Sequence, residues 1–189
     1  MPTPAFMRIE GSTQGLITAG CSTKESVGNV FVAGHTDEFM VQAFDHNVCI
    51  PRDPQSGQPT GQRVHGPFRV TKVFDKSSPL LYQALCTGEM LDTCEVQWWR
   101  SNEKGKQEHY FTMKLEGSSR PSMASAAQGH PGQGAIVVEM QAHMPNCQDP
   151  GQAHFTHLED IAFSYKKIHW VHELASTASE DDWSQPNVA

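Results

Sequence analysis

Positive charge is scarce in this chain. Its 14 Lys and Arg face 21 Asp and Glu, for a formal net charge of −7. Phosphate recognition needs a basic face, so no nucleic-acid partner is expected. Apolar residues make up only 38% of the chain, and no run approaches the roughly 18 residues of a membrane-spanning helix, so no membrane insertion is expected. The N-terminus has no charged region followed by an apolar stretch. No Sec-type signal is expected, and such a chain starts and folds in the cytoplasm. Five cysteines, at 21, 49, 86, 94 and 147, are odd in number and form no Cys-x-x-Cys. They fit small buried apolar residues in a reducing compartment better than a disulfide framework.

Reaction motifs are missing as well. There is no Gly-x-Ser-x-Gly elbow and no phosphate loop ending in Gly-Lys. Ten histidines invite a metal hypothesis, and His154-x-x-His157 with Cys147 nearby is the best cluster. It lacks a clear third and fourth ligand, so polar strand-end histidines are the expected reading. No catalytic residue, metal ligand or cofactor is assigned. Asp45-His46 could pass for an acid–base pair, but its expected role is to anchor the base of a loop.

What is present is period-two alternation. Ile136, Val138, Met140, Ala142 and Met144 form one run, Phe111, Met113 and Leu115 another, and Cys94, Val96 and Trp98 a third. These predict half-buried strands. Ile161, Phe163 and Tyr165 share a face before the phase slips to Ile168 and Trp170, which predicts one long strand with a bulge near Lys166-Lys167. One helix is predicted, with Ser78 as N-cap, Pro79 at its first position, an apolar stripe of Leu80, Leu81, Ala84 and Leu85, and Gly88 as its stop. At 189 residues, a single domain 1–189 is expected. Its predicted class is mainly β, an antiparallel two-sheet β-barrel with one short flanking α-helix and a long projecting loop. Trp98 and Trp99 should point to opposite faces of one strand, one into the core and one outward. An outward Trp suggests a protein interface, so both are oligomer-interface candidates.

The projecting loop runs from residue 46 to 65. Pro51, Pro54 and Pro59 stiffen it, and Gly57 and Gly61 let it turn. A loop of this length inside a domain is functional or disordered, and strands on both sides favour an ordered arm. The words Phe44-Asp-His-Asn-Val48, Pro51-Arg-Asp-Pro-Gln-Ser-Gly-Gln-Pro-Thr-Gly-Gln-Arg-Val-His65 and Thr71-Lys-Val-Phe-Asp-Lys-Ser-Ser-Pro-Leu80 resemble the Hcp family, the haemolysin-coregulated tube proteins of bacterial type VI secretion. The likeness extends to Gln14–Gly20, Gln107–Thr112, Met144–Pro150, Ala153–His157 and Asp181-Asp-Trp183, nearly the whole chain.

The resemblance implies a barrel-like core with a helix alongside. It also implies a structural subunit without enzymatic activity, one that forms hexameric rings. The rings would stack into a tube that carries effectors in its lumen and is itself secreted after assembly in the cytoplasm. Partners implied are further copies of the chain, the spike, sheath and baseplate proteins, and the effectors. Asp53, Gln55, Gln58 and Arg63 would be the polar groups of a ring-stacking arm. One segment departs from the family pattern: 117–134, rich in Gly, Ser and Ala, reads as a low-complexity loop insertion between two strands. Two rival readings are a monomeric ligand-binding β-barrel and a metal-dependent enzyme using His154 and His157. Neither accounts for the long matching words.

Overall fold

The computed structural model describes residues 3–116, 134–152, 156–182 and 185. Segment 117–133, which is nearly all of the expected insertion, lies outside them, as do His154 and Trp183. Thirteen strands are formed among the described residues. They are β1 (Ala5–Gly11), β2 (Gly15–Leu16), β3 (Phe39–Val41), β4 (Ala43–Asp45), β5 (Val48–Cys49), β6 (Val64–His65), β7 (Phe68–Val73), β8 (Met90–Ser101), β9 (Gln107–Glu116), β10 (Ala135–His143), β11 (Leu158–Ser164), β12 (Lys167–His172) and β13 (Thr177–Asp182). A helix α2 (Ser78–Thr87) follows β7, and a single helical turn α1 (Lys24–Val27), absent from the sequence reading, lies between β2 and β3.

One antiparallel sheet follows the order β13-β12-β9-β8-β10-β11-β7-β4, with β1 on β8 and β2 and β3 on β1. It curls because strands change partners along their length. Along one edge β8 pairs with β10 at Met90 and Leu91 and with β9 from Glu95 to Ser101, while β1 pairs along its other edge from Leu91 to Trp98. β3, paired with β1, continues through Gln42 into β4, paired with β7. β11, held between β10 and β7, passes through Tyr165 and Lys166 into β12, held between β9 and β13. The two layers expected from the sequence are therefore joined at these corners, around a core that includes Met7, Ile9, Phe68, Leu91, Val96, Ile161, Phe163 and Ile168. β5 and β6 form a separate two-stranded sheet.

Several expectations are corrected. The slip between Ile161 and Trp170 is not a bulge in one strand, since Tyr165–Lys166 is where the chain leaves one layer for the other. In β10 the buried residues are Ala135 and Val137, while Ile136, Val138 and Ala142 are exposed, as is Met144 just beyond the strand. A bulge at Val138 shifts the register, so Glu139 pairs with Ala162 directly after Val137 pairs with Phe163. Met140 then packs against the core. Cys21 and Cys94 are buried, but Cys49, Cys86 and Cys147 are exposed, so burial explains only two of the five. Burial, with Asp75 nearby, pushes the Cys21 thiol up to about 12.

The helix begins one residue early. Ser77 is its N-cap, Pro79 sits in the first turn and Gly88 closes it at φ 66°. Ser78 does not cap. Its hydroxyl donates to Glu159 Oε1 at 2.7 Å and accepts from the Asp75 backbone N–H at 3.1 Å. Leu81 and Ala84 are buried, and the helix lies against β10.

Ser78 belongs to a dry ionic cluster. The Lys72 ammonium is fully enclosed, 2.8 Å from Asp75 and 2.7 Å from Glu159, whose side chains are equally enclosed. It also donates to Ser78 Oγ and Val73 O, both at 3.1 Å, and lies 5.2 Å from the Phe39 ring centre. Removing one member of a buried pair strands the others, at a cost of about 3–5 kcal/mol. Lys72→Met should lose stability of that order in urea unfolding at neutral pH. A loss below about 1 kcal/mol would show that the cluster does not hold the fold.

Candidate functional site

The site is the arm and its root. At the root, Val48 pairs with His65 and Cys49 with Val64. Gly66 N–H donates to Asn47 O at 2.8 Å and Thr60 N–H to Pro51 O at 2.9 Å. Arg52 bridges to Pro59, and Asp53 N–H reaches Gln58 O at 2.9 Å, so the ladder extends almost to the tip. The tip is then closed by one carboxylate. Asp53 Oδ1 accepts from Gln55 N–H at 2.9 Å and Oδ2 from Ser56 Oγ at 2.8 Å, while Gly57 turns at φ 70°. Those two donors hold the Asp53 carboxyl below its ordinary range.

Of the four arm residues singled out in the sequence, Gln55 and Gln58 are exposed at the tip, whereas Asp53 and Arg63 are committed within the chain. Arg63 lies at the root. Its Nε donates to Asp181 Oδ2, and its Nη2 to Asp182 O at 2.8 Å and Gln185 O at 3.3 Å.

Beside it runs a relay through Tyr165. The hydroxyl lies 2.5 Å from His46 Nε2 and 2.8 Å from His65 Nδ1, and His65 Nε2 is 2.7 Å from Asp181 Oδ2. A carboxylate only accepts, so His65 Nε2 carries the proton that faces it. In the neutral ring Nδ1 then accepts, so Tyr165 O–H donates to it and the phenol oxygen accepts from His46 Nε2–H. Every group in this row therefore has one direction. The Arg63 guanidinium, against the opposing effect of burial and with help from His65, sets the Asp181 carboxyl below its ordinary range, and burial with Asp181 pushes the Tyr165 phenol up. Asp45-His46 anchors the arm through His46, as its place in the sequence suggested.

The tryptophans sit at the end of β8, where the register with β9 shifts between them. Both are half-buried. Trp98 packs on the core with Phe44 edge-on at 5.0 Å. Trp99 stacks on His109 at 5.4 Å and meets His35 edge-on at 5.2 Å. Neither indole N–H has a partner among the described residues. His157 lies 6.0 Å from the Phe74 ring and Cys147 is exposed, and among the described residues no three His, Cys, Asp or Glu are grouped to hold a metal.

The arm-root contacts lie far apart in sequence, which is why pattern reading missed them. A curled, mainly antiparallel sheet with a small hairpin sheet standing off it defines a β-barrel protein whose distinctive element is the arm. The family described as "Type VI secretion system effector, Hcp" matches residues 6–172. The chain is 55% identical over 186 residues to the "Major exported protein" of Pseudomonas aeruginosa, covering 98% of each. Among solved structures, one described as "Crystal structure of Hcp protein" matches with a TM-score of 0.84 at 44% identity, covering 98% of this chain and all of that one. "Secreted protein Hcp3 from Pseudomonas aeruginosa" matches with a TM-score of 0.74, also at 44% identity, covering 96% and 99%. The chain belongs to the Hcp family of the type VI secretion system, a family of structural secreted proteins and not of enzymes.

His46 gives the arm root a pH dependence. Burial first, then His65, lowers its pKa from 6.5, with Asp45 opposing. The unfolded chain therefore takes up this proton at higher pH than the folded one. The stability concerned is complete above the ordinary histidine value and is lost as pH falls through the depressed folded value. His46→Phe should flatten the decline of unfolding free energy between about pH 7 and 5 relative to the unaltered chain, followed by urea titration. Superimposable slopes would mean that His46 titrates alike in both states.

Proposed function

We propose that this chain is the subunit of a type VI inner tube: six copies close a ring, rings stack into a tube, and the tube carries effectors and is itself exported. Family membership over residues 6–172 carries this reading, and the name of the Pseudomonas aeruginosa relative, "Major exported protein", supports export. One Hcp-like domain spans 1–189, with the arm at 46–65 and the insertion at 117–134 as its appendages. Spike, sheath and baseplate proteins are the further partners.

Two features of the surface fit assembly. Ile136 and Val138 project outward from β10, 37% and 43% exposed, where a lone barrel would favour polar side chains. The arm tip, by contrast, offers the exposed Gln55 and Gln58, and a polar contact suits rings that come apart. Ring closure is a heterologous contact, which succeeds only when the rotation divides a full turn. Trp98 and Trp99 keep their place as ring-interface candidates, with the packing of Trp98 limiting its share.

Light scattering on the purified protein should give a mass six times that of the subunit, with annular particles in electron micrographs of the same peak. A monomer at high concentration would overturn the ring. Deleting Pro54–Thr60 should leave the rings intact and abolish their stacking, read from the length of tubes in the micrographs. Failure of rings to form at all would show that the arm's role lies within the ring.

A further inference from the structure

We propose that the C-terminal strand β13 is a latch on the arm: Asp181 and Tyr165 hold the arm's two roots, and protonation of this pocket releases them. The contacts concerned lie within one chain and do not depend on tube assembly. A two-stranded hairpin has marginal stability in water by itself, and β5–β6 pairs only with itself. Its attachment to the barrel therefore has to come from its root. The root is held at His46 on the outgoing side and at Arg63 and His65 on the returning side, and all three converge on Tyr165 and Asp181. Arg63 also donates to the backbone carbonyls of Asp182 and Gln185, so β13 is bound to the arm through both side chain and backbone.

The directional row of hydrogen bonds is what makes the latch sensitive to acid. A second proton on His65 turns Nδ1 into a donor, so the Tyr165 oxygen would face N–H groups from both rings and its own O–H would no longer find an acceptor in His65. A proton on His46 would place a cation in a half-buried pocket beside His65, in line with the depressed pKa of His46. The other charged groups around the pocket are Asp45, next in sequence to His46, the Arg63–Asp181 pair, and Lys166, whose ammonium is 3.8 Å from Asp182. Protonating Asp181 would remove the acceptor shared by Arg63 and His65, but its lowered pKa places that event below the ordinary carboxylate range.

Amide hydrogen exchange read by mass spectrometry on the full chain tests the latch. The reporting amides are those of Asp53, Gly57, Thr60 and Gly66, each bonded within the arm or at its base. In Asp181→Asn and in Tyr165→Phe these should exchange at least about tenfold faster at neutral pH, a change expected for opening made easier by one lost charge-assisted or buried hydrogen bond. Amides of β1 and β8 should stay protected, which separates release of the arm from general unfolding. Glu139→Gln, which removes an exposed ion pair with Arg69, should leave the arm unchanged. In the unaltered chain, taking the pH from about 7.5 to 5 should raise arm exchange, once corrected for intrinsic rates, over the same range in which histidines take up protons. Should Asp181→Asn unfold, Tyr165→Phe, which removes one oxygen, decides. Unchanged arm protection in that variant overturns the latch, and arm protection indifferent to pH overturns its control by protons.

Discussion

Lys72 is the point on which the arrangement of this barrel turns. Its ammonium, on β7, is enclosed with Glu159 on β11 and Asp75 in the turn before α2, and Ser78 of α2 completes the cluster. Lys72 and Glu159 are also cross-strand partners. Slipping β7 against β11 by one residue would turn Phe68, Val70 and Lys72 to the other face and leave the enclosed carboxylates of Glu159 and Asp75 without their counter-charge, at a cost of several kcal/mol. The pairing register, the position of the first turn of α2 and the distance to Phe39 in the other layer are thus set by one side chain. A buried ion pair adds little net stability over a well-packed apolar equivalent, because desolvation offsets most of the Coulomb gain. Its effect lies in what it forbids.

The arm root uses the same chemical groups to a different end. Its charges lie at the edge of the barrel, where water reaches Asp181 and Arg63 in part, and its central groups are two histidines and a phenol. Where the Lys72 cluster holds one ammonium between two acids in a dry interior, the root holds a row of hydrogen bonds whose directions depend on which ring nitrogens carry protons. A dry ion pair resists changes near neutral pH. A half-buried histidine row responds to them. Core register and arm position are thereby governed by networks with different responses to pH.

Much of the barrel was legible from alternation alone, and its failures share a cause. β8 from Cys94 onward and β9 read correctly because Cys94, Val96 and Trp98 in one, and Met113 and Leu115 in the other, keep period two on the core side. β10 was read on the wrong face because Ile136 and Val138 are apolar and point outward, while the bulge at Val138 lets Met140 return to the core. Local pattern assumes that apolar means inward, and a chain with apolar surface breaks that assumption. The passage through Tyr165–Lys166 was legible as a change of phase, but sequence cannot distinguish a bulge from a corner, since both cost one step of period two. Lys72 carried a readable signal that passed unnoticed. It follows Phe68 and Val70 on the buried face of β7, and a Lys in that position requires an acid within reach. The family words at Thr71–Leu80 and Asp181-Asp-Trp183 marked both networks without showing what they do. Arg63 and Asp181, well over a hundred residues apart, have no local pattern to join them.

The two surfaces proposed for assembly differ in the way their functions would require. Ile136 and Val138 stand on a rigid strand backed by the core, so an apolar contact made there orders little and should persist. The arm is long, and a disordered arm would have to give up conformational freedom at each encounter, which weakens binding. The carboxylate of Asp53 removes that cost at the tip by fixing Gln55, Ser56 and Gly57 before any partner arrives, and Arg63, His46 and His65 do the same at the root. Gln55 and Gln58 then present neutral amides on a prepared turn. Neutral polar groups exchange water for a partner at nearly equal free energy, so such a contact gains specificity of fit with little net affinity per bond. A ring wall built on apolar residues and an end-to-end contact built on a preorganised polar arm would therefore separate naturally in strength, and the chain would assemble strongly in one direction and reversibly in the other.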